Sequence, residues 1–93
     1  MMDIIETGVR YIEVSDFPEE KYIAAGNFKG GIHVYIVNEK AISMYHIFEE
    51  IPQDCIWSIK FIKKTDDYLM ASISKCGQFI LTCLKERIHI YVL

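Results

Sequence analysis

The spacing of the apolar residues constrains this chain most. They fall into eight short runs, and nearly every interval between runs has the length of a hairpin turn. The runs cover 9–16, 21–26, 31–37, 41–48, 55–62, 67–73, 78–84 and 87–93. The third puts Ile32, Val34 and Ile36 on one face of a pleat and His33, Tyr35 and Val37 on the other. The last sets Ile88, Ile90 and Val92 opposite His89, Tyr91 and Leu93. β-Branched and aromatic residues dominate both, as a pleated surface favours. The longest internal interval, 49–54, contains Pro52. Residues 43–50 come nearest to a helix but lack a capping residue and a continuous apolar stripe. The chain is therefore expected to be all-β, with two four-stranded antiparallel units and almost no helix.

An internal repeat groups the strands. A shift of 46 residues lays Tyr22 on Tyr68, Ala25 on Ala71, Lys29 on Lys75 and Gly31 on Gly77. It also lays Ile42 on Ile88 and Tyr45 on Tyr91, while the leading strand slips by one residue. A shift of 56 matches Ile32-His33-Val34-Tyr35 to Ile88-His89-Ile90-Tyr91 more closely, but it leaves the strand around Trp57 outside the repeat. The 46-residue register accounts for every strand. It divides residues 1–93 into a single unit made of two repeats, about 9–48 and 55–93.

Composition narrows the setting. A chain of 93 residues is one small domain or part of a larger one, and 52% apolar residues is high for so small a body. Such a chain needs more burial than it can supply alone. A net charge of -3 argues against a nucleic-acid partner, which calls for a basic face. No stretch approaches the roughly 18 apolar residues of a membrane helix. The acidic opening, Met1-Met2-Asp3-Ile4-Ile5-Glu6, does not read as a signal peptide. Cys55, Cys76 and Cys83 are odd in number and form no C-x-x-C pair. Reduced thiols in the cytosol or nucleus follow as the expectation.

The stretch Tyr22-Ile23-Ala24-Ala25-Gly26-Asn27-Phe28-Lys29-Gly30-Gly31-Ile32-His33-Val34-Tyr35 resembles the second and third strands of a WD repeat around their tight turn. Ile56-Trp57-Ser58-Ile59-Lys60-Phe61 resembles the first strand. The likeness runs from about Val9 to Leu93. It implies blades of a WD40-like β-propeller, built from units of about 40 to 45 residues. Tyr35-Ile36 stands where Trp-Asp is usual, and no Gly-His pair precedes either first strand, so the hydrogen-bond network those residues build is not expected. A narrower likeness runs through residues 55–61, 68–72 and 77–83, which are similar to a stretch of the WD-repeat diphthine methylesterase family. Its matched positions are strand interior and imply no catalytic residue.

His33, His46 and His89 show no i, i+2 spacing with a nearby thiol or carboxylate, so no metal site is assigned. No thiol is marked as an activated nucleophile. Glu19-Glu20, Glu49-Glu50 and Asp66-Asp67 read as solvated turns rather than acid–base pairs or calcium ligands. The loop at 27–31 precedes no helix and is not a phosphate loop. No catalytic, cofactor-binding or metal residue is assigned, and no cofactor is expected. Trp57, Ile32, Val34, Ile59, Phe79, Ile88 and Ile90 are expected to form the core.

The expected role is a protein–protein interaction or scaffold module, completed into a propeller by other proteins or further copies of itself. Neither nucleic acid nor membrane is expected as a partner. The alternatives are a fragment of a propeller-fold enzyme, such as a methylesterase-like hydrolase, or a small self-contained β-sandwich that binds a ligand.

Overall fold

A computed structural model of the protein describes residues 8–49, 54–65 and 67–92. The acidic opening, Pro52, Glu50, Asp66 and Leu93 lie outside them. Among the described residues every regular element is a strand: β1 (Val9–Val14), β2 (Lys21–Asn27), β3 (Gly31–Val37), β4 (Ile42–Glu49), β5 (Ile56–Lys64), β6 (Asp67–Ser74), β7 (Phe79–Cys83) and β8 (Ile88–Val92). Each falls within a residue or two of its apolar run. The strands form two antiparallel meanders, β1-β2-β3-β4 (sheet 1) and β5-β6-β7-β8 (sheet 2). Two packed layers with short, sequential connections are the economical way for such strands to bury their apolar faces.

One core joins the sheets. Tyr22, Ala24, Ile32, Val34 and Phe48 come from sheet 1, and Ile56, Ile59, Tyr68, Met70 and Leu84 from sheet 2 or its turn. Phe17, from the β1–β2 connection, closes the rim by stacking on Tyr68, with centroids 4.2 Å apart. The sheets approach closely at Gly26. A Cβ built there would lie 2.5 Å from Ile56 Cγ2, so β5 sits over a notch that only glycine leaves open.

Bulges fix the relation between the sheets. Val9 pairs with Asn27 and Tyr11 with Gly26, which leaves Arg10 as an extra residue on β1. Ile56 pairs with Ser74 and Ser58 with Ile73, which leaves Trp57 extra on β5. These two positions are 47 apart. The same spacing separates Gly30 (φ 91°) from Gly77 (φ 94°), the left-handed residues of the β2–β3 and β6–β7 turns. It also separates the side chains that close those turns. Asn27 Oδ1 accepts from Gly31 N at 2.8 Å, and Ser74 Oγ accepts from Gln78 N at 3.2 Å. On the fourth strands the extra residues are Tyr45 and Ile90, 45 apart. The structural repeat is thus 47 residues over the first three strands and 45 over the last, not 46.

A change of one residue turns every side chain to the opposite face. Under a shift of 46, Tyr22 and Tyr68 would be equivalent and the sheets would meet by like faces. Instead the two tyrosines come from opposite faces of their own sheets and meet across one interface, 6.3 Å apart by centroid. We call the face of sheet 1 that covers sheet 2 its front. Sheet 2 meets it with its back, and the sheets stack front to back.

The core differs from expectation at four residues. Ile32, Val34 and Ile59 are buried in it, whereas Phe79 is half-buried on the face of sheet 2 turned away from sheet 1. Trp57 is 49% exposed because the bulge breaks the alternation that would have turned it inward. Ile88 and Ile90 are exposed because β8 is the outer edge of its sheet and Ile90 is itself a bulge residue.

Candidate interaction surfaces

Front-to-back stacking leaves two faces uncovered among the described residues: the back of sheet 1 and the front of sheet 2. Cross-strand register assembles the first. One row runs Val14, Ile23, Tyr35, Met44, and the next runs Ile12, Ala25, His33, Ile47. Ile12 is 58% exposed, and Val14, Met44 and Ile47 are exposed beside it. Ala25 and Tyr35 are buried within the face and pack with Ile23. A contiguous apolar face of this kind is the usual mark of a contact surface, whereas isolated exposed apolar residues are ordinary.

The second face is built from Ser58, Ile73 and Phe79 in one row, Lys60, Ala71 and Leu81 in the next, and Ile62, Leu69, Cys83 and Ile88 beyond. It holds a shallow depression of about 250 Å³ between Ser58, Lys60, Ala71, Ile73 and Phe79. Along the edge where β1 meets β5, the two bulge residues touch: the Arg10 guanidinium lies 4.6 Å from the centre of the Trp57 ring. Lys60 Nζ and Glu13 Oε1 lie 3.7 Å apart nearby.

At one rim of the sheets charge and aromatic rings are interleaved. Tyr68 donates its hydroxyl to Glu19, Lys63 lies 3.5 Å from the same carboxylate, and the Lys85 ammonium sits 5.1 Å from the Tyr68 ring centre. The Tyr68 hydrogen bond holds the Glu19 carboxyl below its ordinary range, and the same bond pushes the Tyr68 phenol up to about 12. Burial, with the Glu20 carboxylate accepting from its hydroxyl at 2.8 Å, pushes Tyr22 upward as well. Both phenols stay neutral in the physiological range, so this cluster orients rings and holds the Phe17 connection in place.

The histidines and thiols are dispersed. His33 is buried on the back of sheet 1, His46 packs its ring on Phe48 at 4.6 Å, and His89 Nδ1 lies 2.8 Å from Thr82 Oγ1. Cys83 is buried, Cys55 half-buried and Cys76 exposed, all as free thiols. The Cys76 backbone N–H donates to Asp54 at 2.8 Å, and the hydrogen bonding around Cys76 holds that carboxyl low. No group of three His, Cys, Asp or Glu among the described residues could hold a metal ion. No helix among them is long and apolar enough to cross a membrane. Of the paired acids, Glu19 and Glu20 bind tyrosines, while Glu49 and Asp67 are exposed.

Sequence reasoning missed the contact surfaces because it assigned the alternating apolar residues of β1 and β4 no face. The signal was present in Ile12 and Val14, whose alternation opposes that of Tyr11 and Glu13. Comparison of the chain with protein-family models, curated proteins and solved structures found no match.

Proposed function

We propose that this chain is a protein–protein interaction module made of two diverged WD-repeat-like blades, whose free faces are covered by other proteins or by further copies of the chain. The observation that carries the reading is the uncovered apolar back of sheet 1, centred on Ile12 and Val14. Exposing such a face to water costs about 25 cal/mol for each Å² that a partner could cover, so covering it is a ready source of binding energy. Front-to-back stacking adds support, since it is the arrangement that a propeller or an open stack would extend. The three free thiols suit a reducing compartment, the cytosol or nucleus.

A photo-crosslinking amino acid placed at Ile12 and, separately, at Ile73 tests the reading in cells. Protein adducts at both positions are expected, with far fewer from the exposed turn residue Glu39. If neither position gave an adduct above that control, the two faces would work uncovered and the reading would fail.

A further inference from the structure

We propose that the two free faces recognise each other, so that the chain binds a second copy of itself head to tail, the front of sheet 2 covering the back of the next sheet 1. This rests on the interaction reading above and names the partner. The argument is structural equivalence. Because the sheets repeat at 47 residues, each free face occupies the same place in its own sheet as one side of the interface already formed inside the chain.

The residues on the free faces suit that place. On β5, Ile56, Ile59 and Phe61 face sheet 1, and their equivalents on β1 are Val9, Ile12 and Val14, all on the free back face. Met70 of β6 corresponds to Ile23, and Leu84 corresponds to Val37. The opposite side agrees: Ala24, Ile32 and Val34 of the internal front correspond to Ala71, Phe79 and Leu81 of the free front. The exceptions are Lys21 in the place of Tyr68, Ser58 in the place of Tyr11 and Lys64 in the place of Phe17. Both lysines lie at strand ends, where a long side chain keeps its ammonium in water.

Shape and charge follow the same rule. Within the chain, Ile56 packs over a hollow framed by Ala24, Gly26 and Ile32. The equivalent hollow on sheet 2 is the depression framed by Ala71, Ile73 and Phe79, and the residue equivalent to Ile56 is the smaller Val9. Ile73 fills part of the space that Gly26 leaves open, so a smaller knob fits. Lys60 and Glu13 occupy equivalent positions and are already paired. Between copies they would meet again with their places exchanged, as would Arg10 and Trp57. An interface between unlike faces of identical chains leads to a closed ring or an open stack.

Light scattering coupled to gel filtration, on the whole chain and two variants, tests this. Ile12→Arg blocks the back of sheet 1 and Ile73→Arg the front of sheet 2. The wild-type mass is expected to exceed the 10.9 kDa of one chain, and each variant alone should run as a monomer with unchanged far-UV circular dichroism. An equimolar mixture of the two variants still holds one intact back and one intact front, so it should give a one-to-one complex of twice the chain mass. If either variant fails to fold, Val14→Lys and Ile62→Lys probe the same faces. Association of either variant alone, or a mixture that stays monomeric, overturns the head-to-tail arrangement. A monomeric wild type that still yields adducts to a different protein from Ile12 and Ile73 overturns self-association and leaves the interaction reading standing. A monomer without adducts removes both.

Discussion

Trp57 shows how far a single residue can depart from its sequence context. Its neighbours Ile56 and Ile59 are fully buried, yet the extra residue on β5 leaves the indole at the sheet edge against Arg10. A cation over an exposed ring contributes about 0.5–1 kcal/mol. Trp57→Ala is therefore expected to lose about 1 kcal/mol in urea unfolding followed by circular dichroism, rather than the ~3–5 kcal/mol of a buried aromatic. Nothing in the run Ile56–Phe61 distinguishes a bulge from regular alternation, because a bulge is set by how the partner strand pairs. Tyr68 makes a second prediction. Glu19 is held below its ordinary 4.5, so its contribution is complete above that pH and is lost as pH falls toward the folded value. Tyr68 is raised from 10.0 to about 12, so its contribution is complete below pH 10 and is lost as pH rises through that interval. Tyr68→Phe keeps the ring on Phe17 but removes the shared hydrogen bond. Plotted against pH, its melting temperature should fall less steeply than that of wild type at both ends. Tyr22, also raised, keeps some alkaline loss in the variant. A variant curve parallel to wild type would show that the Glu19–Tyr68 bond does not govern either limb.

Strands were the legible elements, and their mutual register was not. The eight runs gave the eight strands because period-two alternation and turn residues are local signals. A shift of 46 looks right in the sequence because Tyr22 and Tyr68, or Tyr45 and Tyr91, are chemically alike. For Tyr22 and Tyr68 the likeness arises because both fill one core from opposite sides, not because they are equivalent positions. True equivalence lies in backbone features with little sequence identity: the bulges, the paired glycine turns, and Asn27 against Ser74. The candidate surfaces were hidden because the face each strand turns outward depends on how the two sheets stack, which no local pattern records. Gly26 was legible as part of a turn-flanking strand but not as the notch for β5, which depends on a contact between sheets. Gly26→Ala should drive its methyl into Ile56 and cost about 1–3 kcal/mol, the range for overpacking a core. Ile56→Ala alone should cost about 2–5 kcal/mol. The double variant should cost less than the two added together, because the new methyl enters the space that Ile56 vacates. Additive losses in a urea double-mutant cycle would mean that the two strands separate freely at this point.

At the scale of the whole molecule, the main core belongs to neither sheet alone, and this sets how the chain unfolds. The main cluster of buried residues draws on both sheets and on Phe17 from a connection, and Tyr45 of β4 donates its hydroxyl to the Leu84 carbonyl of the far sheet at 2.6 Å. Removing sheet 2 would strip the front of sheet 1 of its cover, and the converse holds for the back of sheet 2. The two halves should therefore open together in one transition, although each is a continuous meander that could pair its own strands. Native-state hydrogen exchange can read this at single amides. The measurement belongs in the Ile12→Arg background, where association between copies cannot add a concentration-dependent increment to stability. In that background the slowest amides of β2 and β3, such as Val34, should open with the same free energy as those of β6 and β7, such as Met70. The edge strands β1, β4, β5 and β8 should open at lower cost, because among the described residues each pairs with a strand on one side alone. A sheet 1 whose central amides exchanged well before those of sheet 2 would show two independently stable units. The internal interface would then be too weak to serve as the template for an equivalent one between chains, and the exchange pattern would count against the head-to-tail stack before any mass was measured.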